Sequence, residues 1–151
     1  MRFTDVLFDG NSSETGGAVE LVDSFAEFTR VVFWGNSAES GGGLHCGDQS
    51  SPTIASSSFA ANSATQHGSS ICLDGGSSPD VSNSILSFGT GSEAVWCGDA
   101  YCQPQLSCCD VFGNMQDWSG CIADQFGGQG NLSEDPLYCD LGSGDLSLHS
   151  D

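Results

Sequence analysis

The chain contains no lysine, and its only basic residues are Arg2 and Arg30 among 151 positions. Against these stand 20 acidic residues, for a formal charge of -18. A field of that sign repels phosphate backbones and anionic lipid surfaces, so nucleic acid and membrane are excluded as expected partners. Long apolar runs are also missing. No stretch approaches the roughly 18 residues a membrane helix needs, so membrane insertion is not expected. Leu, Ile, Val and Phe fill only 32 of the 151 positions. That is near the boundary where chains cannot bury enough surface to fold. The N-terminus MRFTDVLFDG lacks the basic start and apolar stretch of a signal peptide. Cys-x-x-Cys pairs at zinc-finger spacing are absent, as is the Gly-x-Ser-x-Gly elbow of serine hydrolases.

What the chain does have is cysteine, glycine and a repeat. The 8 cysteines argue for an oxidising compartment and disulfides, hence a secreted or cell-surface protein. Taken with the missing leader, this leads us to expect a segment of a longer chain. Three segments align: Phe8-Asp-Gly-Asn11 followed by Gly16-Gly17-Ala18-Val19; Phe33-Trp-Gly-Asn36 followed by Gly41-Gly42-Gly43-Leu44; and Phe59-Ala-Ala-Asn62 followed by Gly68-Ser69-Ser70-Ile71. Both the Phe and the Asn residues recur after 25 and then 26 positions. A weaker copy places Ile85 at the Phe position, and another starts at Val111-Phe-Gly-Asn114. Helical repeats need long amphipathic stretches, which this Gly- and Ser-dense chain does not contain. A coil of three short strands and three turns fits, each coil stacked about 4.8 Å from the next. Phe8, Phe33 and Phe59 are then expected as an inward aromatic row. Asn11, Asn36 and Asn62 are expected at turns, tolerating left-handed backbone and bonding up the ladder.

This pattern resembles the right-handed parallel β-helix repeats of bacterial surface proteins of the polymorphic outer-membrane type. The tail, Gly130 to Tyr138 and then Gly144 to Asp151, is similar to the terminal segment of such secreted repeat proteins. The resemblance implies an all-β solenoid of about five coils of some 25 residues. Coils are expected over residues 1–96, and over 97–151 the last coil or coils and a disulfide-stapled cap. Activity is poorly specified, because the fold hosts adhesins, lyases and hydrolases alike.

Strand alternation after the Gly pair predicts Leu44 and Cys46 inward and His45 outward. Aligning Gly68 with Gly41 buries Ile71 and gives an outward row of Glu20, His45, Cys72 and Trp96; a one-residue slip would exchange the faces. Pairing among eight cysteines is not fixed by sequence. Cys109 and Cys121 bracket a loop and form a candidate pair. Cys97, Cys102 and Cys108 are close enough to pair among themselves, and Cys46, Cys72 and Cys139 complete the set.

Candidate sites follow from this register. His45 or His67 with Asp48 or Asp74 would be the core of a nucleophilic hydrolase. Asp48, Asp74 and Asp99 follow cysteines at the same offset. As a carboxylate column they would serve polysaccharide hydrolysis or hold calcium, and as turn residues they would need neither role. Trp34 and Trp96, with His45, are candidate glycan contacts, and Trp118 is expected to fill the cap. The function expected is a non-catalytic surface segment with a structural, adhesive or carbohydrate-contacting role. A polysaccharide- or ester-acting hydrolase is one alternative, and a calcium-stabilised or salt-adapted spacer is another. Open solenoid ends expose strand edges, which makes end-to-end self-association an expected contact.

Overall fold

The computed structural model describes residues 1–149 and is an all-β parallel solenoid of about four turns. Each coil contributes to three faces. The first sheet stacks Arg2–Thr4, Glu27–Thr29, Thr53–Ala55, Asp80–Ser82 and Gln105–Ser107. The second stacks Leu7–Asp9, Val32–Trp34, Ser58–Ala60, Ile85–Ser87 and Asp110–Phe112. The third stacks Val19–Val22, Leu44–Gly47, Ile71–Leu73 and Val95–Cys97. A short ladder of Ser37–Ser40 with Ser63–His67 bridges the second and third faces. The third sheet has four rungs and not five, because the 3-10 segment Gly120–Gln125 lies over its last strand. Ile122 on that segment is fully buried and closes the core. No helix among the described residues is long and apolar enough to cross a membrane.

The core is built from copies stacked on copies. Phe8 pairs with Phe33 and Phe33 with Phe59, and the rings stack at 5.2 and 4.2 Å between centroids. A second aromatic column, Phe3 on Phe28 at 5.0 Å, lies on the first sheet. Phe28 and Phe33 meet at a tilt of 59° across the interior at 5.6 Å, tying the two faces together. Each such pair contributes about 0.5–1.5 kcal/mol beyond simple burial. In the fourth rung the Phe position is taken by Leu86, not Ile85: Leu86 pairs with Phe59 below and Val111 above. A bulge between Ala64 and His67 adds one residue to the coil that precedes this rung, which displaces the alignment read from sequence.

Asparagine forms the expected ladder. The backbone N–H and Nδ2 of Asn36 both donate to Oδ1 of Asn62, at 2.9 and 3.0 Å. Asn11 repeats this on Asn36. Nδ2 of Asn36 and Asn62 also donates to the carbonyls of Phe8 and Phe33, closing the corner below. The left-handed backbone is not on asparagine, however. It falls on the residue before, at Gly10, Gly35, Ala61 and Phe88. The side chain is thus selected for its amide and not for its tolerance of positive φ. In the fourth coil Gly89 stands at the asparagine position, and its N–H donates to Oδ1 of Asn114 at 2.8 Å. A Cβ there would sit 2.2 Å from the hydroxyl of Ser69, so only glycine fits.

A second corner column, between the first and second sheets, places Asp5, Arg30, Ser56, Asn83 and Cys108 in the left-handed region. The residues after them turn inward: Ser57 Oγ accepts the Val31 N–H and Ser84 Oγ accepts the Ser57 N–H, each at 3.1 Å. Cys109 is the next member of this inward column. It is fully buried, and its thiol points at the carbonyls of Val81 and Ser107. That placement removes it from Cys121, so the candidate Cys109–Cys121 pair is not formed. Cys121 bonds instead to Cys97, 24 residues earlier. One coil separates the two, and the bridge runs from one rung to the next. Cys46, Cys72, Cys102, Cys108, Cys109 and Cys139 are thiols, so the C-terminal part has one bridge among the described residues and is not disulfide-rich.

Two stability effects follow. Asn62→Ala orphans the Phe33 carbonyl and the Asn36 N–H in a buried corner, and is expected to cost on the order of 3 kcal/mol. Cys121→Ser opens a loop of one coil and is expected to cost about 3 kcal/mol by the chain-entropy relation. Urea denaturation of each variant against the parent measures both.

Candidate functional site

The outward row of the third sheet is the one the register predicts: Glu20 pairs with His45, His45 with Cys72, and Cys72 with Trp96. Outward does not mean exposed here. His45 is 8% exposed and Cys72 1%. Two carboxylates flank the imidazole. Nε2 of His45 lies 3.0 Å from Oδ2 of Asp74, a hydrogen bond, and Nδ1 lies 3.6 Å from Oε1 of Glu20. Thr15 donates its hydroxyl proton to that same Glu20 oxygen at 2.9 Å. At the other end of the row, the ring of Trp96 stacks on His67 at 4.0 Å and 15°. His67 closes the strand Ser63–His67, which brings it to this face.

Asp74 reaches His45 because of register. Leu73 pairs with Cys46 and Cys97, so Asp74 stands level with Gly47 and Gly98. Both neighbours are bare. A Cβ on Gly47 would lie 3.1 Å from Oδ1 of Asp74, and one on Gly98 would lie 2.8 Å from the Trp96 ring. This corrects the expected carboxylate column. Asp48 and Asp99 fall one residue further on, level with Gly75, so Asp48, Asp74 and Asp99 do not form one line. Sequence matched them by their offset from cysteine, but Cys72 is outward whereas Cys46 and Cys97 are inward. Among the described residues no group of three or more His, Cys, Asp or Glu is arranged to hold a metal ion.

Asp99 has a turn role. Its carboxylate accepts the N–H of Tyr101 at 2.8 Å and of Gly76 at 3.2 Å. The Tyr101 bond, with lesser help from Gly76 and Cys102, holds its acid below the usual carboxylate range. Trp34 is not a free sugar-stacking surface. Its Nε1 donates to the Leu141 carbonyl at 3.2 Å, and Gly144 packs on its indole, so the C-terminal hairpin of Tyr138–Asp140 and Asp145–Leu148 covers it. Trp118 donates to the Leu132 carbonyl and packs on the core at the capped end, as expected.

The chemistry open to this face is limited by Cys72. It is the nucleophile registered beside His45, yet burial and the nearby carboxylates of Asp74 and Glu93 push its thiol up to about 12. A thiol that stays protonated at neutral pH does not attack. Burial likewise pushes up the Cys46 and Cys109 thiols. Glu20 is the participant that sequence placed in the row without a role. Its signal was the one-coil spacing to His45.

Alkylation with iodoacetamide at pH 8 is expected to label exposed Cys108 and Cys139 in the folded protein, and Cys46, Cys72 and Cys109 only after denaturation. Peptide mass spectrometry checks this. Asp99 is expected to contribute stability that is present above its unfolded pKa of about 3.9 and lost as pH falls through its lower folded value. Asp99→Asn should therefore flatten the acid limb below about pH 4, read from urea midpoints. In comparisons with protein families, curated proteins and solved structures, nothing matches this chain.

Proposed function

We propose that the chain is a non-catalytic segment of a secreted or cell-surface β-solenoid with a structural, adhesive or carbohydrate-contacting role. The surface setting follows the resemblance to bacterial outer-membrane-type repeats, and the role is argued from the site. One observation carries the reading. The nucleophile registered beside His45 is a thiol 1% exposed and held protonated. A buried, protonated thiol supports binding or packing over nucleophilic turnover at this face. An extracellular setting is supported by the Cys97–Cys121 bridge. A charge of -18 favours neutral partners over anionic ones.

A hydrolase is the second reading, supported by the His45–Asp74 hydrogen bond with Glu20 on the opposite side. A glycan array, together with a panel of polysaccharide and ester substrates, separates the two. Retention on neutral glycans without turnover is expected. Turnover abolished by Asp74→Ala would replace the non-catalytic reading with the hydrolase. The spacer reading rests on the uncompensated acids, whose mutual repulsion salt screens. Sodium chloride is expected to raise the unfolding temperature. A further rise with calcium at equal ionic strength would make calcium a cofactor.

A further inference from the structure

A groove of about 620 Å³ runs along the corner where the third sheet turns into the first, lined by Asp23, Phe25, Gln49, Ser51, Gly75, Gly76 and Tyr101. His45, Cys72 and Asp74 are not among its lining residues, and it has three features that the fold does not explain. The first is a pair of aromatic rings left in water. Phe25 is 71% and Tyr101 81% exposed, whereas Phe28, Phe33 and Phe59 are fully buried. Neither ring belongs to a stacking column of the core.

The second feature is the floor. Gly75 and Gly76 are both left-handed, and so are Asp48 and Gln49 one coil earlier. The same turn is therefore made without strain by Gly-Gly in one coil and with two side chains in the other. Left-handed backbone is disfavoured for side-chain-bearing residues, so the turn alone does not call for Gln49. Its exposed amide, a donor and an acceptor, stands in the groove beside the two glycines. The third feature is how Tyr101 is held. Asp99 accepts its N–H, and its Cβ packs over Gly76 at 3.4 Å from where a Cβ there would be.

Phe25 sits at the corner of the first coil and Tyr101 at that of the fourth. Three rung steps separate them, about 14 Å along the axis. Two stacking platforms that far apart, with an amide and a hydroxyl between them and a carboxylate beside the first, match an elongated ligand with apolar ring faces and polar edges. No cation lines the groove, and Asp23 contributes negative charge to it. We propose that this groove binds a short linear stretch of neutral polysaccharide, with Phe25 and Tyr101 stacking on sugar rings and Gln49, Ser51 and Asp23 bonding their hydroxyls. The proposal rests on the carbohydrate-contacting reading above and gives it a site and a ligand class.

The test begins with an array of neutral and anionic glycans, followed by calorimetry with β-1,4-linked glucose oligomers of increasing length and with polygalacturonate. Binding to neutral glycans that tightens with length until the groove is filled is the expected result. Phe25→Ala and Tyr101→Ala should each weaken it about tenfold, a stacking interaction's worth. Both side chains are exposed, so the fold is retained, which thermal unfolding verifies. Gln49→Gly should weaken binding while raising the unfolding temperature, an opposition that a purely structural role would not produce. Binding that survives the Phe25→Ala/Tyr101→Ala double variant and is lost in Trp96→Ala overturns the groove but leaves the carbohydrate reading standing. Equal binding of polygalacturonate overturns the ligand class. Failure to bind any glycan overturns both the groove and the reading.

Discussion

In the stacked sheets of this protein, each residue is positioned by its copy in the neighbouring coil. Parallel strands pair in register, so a side chain meets its own copy, and the copy must tolerate what is stacked on it. Inward, the constraint favours identical flat rings, as in Phe8, Phe33 and Phe59. At the corner it favours amides, because asparagine can donate to the amide oxygen above and accept from the N–H groups below at once. Outward it penalises like charges. The face around His45 answers this by alternating: Glu20 lies on one side of the imidazole and Asp74 on the other. A chain with few aliphatic residues folds because each contact is made several times over.

This explains what could be read from the residues and what could not. The solenoid, the Phe row, the Asn ladder and the outward row Glu20–His45–Cys72–Trp96 follow from spacings of 25 and 26 residues, which are visible in any alignment of the chain with itself. Failures came where coil length changes. Leu86 stands at the aromatic position in place of Ile85, and Asp74 lies away from Asp48 and Asp99 and beside His45, because a one-residue bulge in the strand Ser63–His67 shifts register without a compositional mark. The disulfide was missed for a related reason. Loop closure was judged by proximity along the chain, whereas in a solenoid the near neighbour is one coil away, and Cys97 and Cys121 are separated by 24 residues.

Trp34 shows a different limit. Its position on a strand gave no hint that the C-terminal hairpin would fold back over the second sheet and take its Nε1 as a donor. Tyr138 makes the matching contact, reaching Ser87 with its hydroxyl at 3.0 Å. The tail is thus fastened to a face that the periodicity of the coils described as free. Tertiary contacts of this sort lie outside any repeat, since only one copy of the tail exists.

The two ends of the stack are unlike. At one, Gly120–Gln125 lies over the core and the Cys97–Cys121 bond joins the last strand of the third sheet to it covalently. At the other, Arg2–Thr4, Leu7–Asp9 and Val19–Val22 each have a partner on one side only, and Phe3 and Phe8 are half covered. The Cys97–Cys121 bond therefore carries load between the last rung of the third sheet and the segment that lies over it, so lifting that segment from the core breaks a covalent bond as well as a row of contacts.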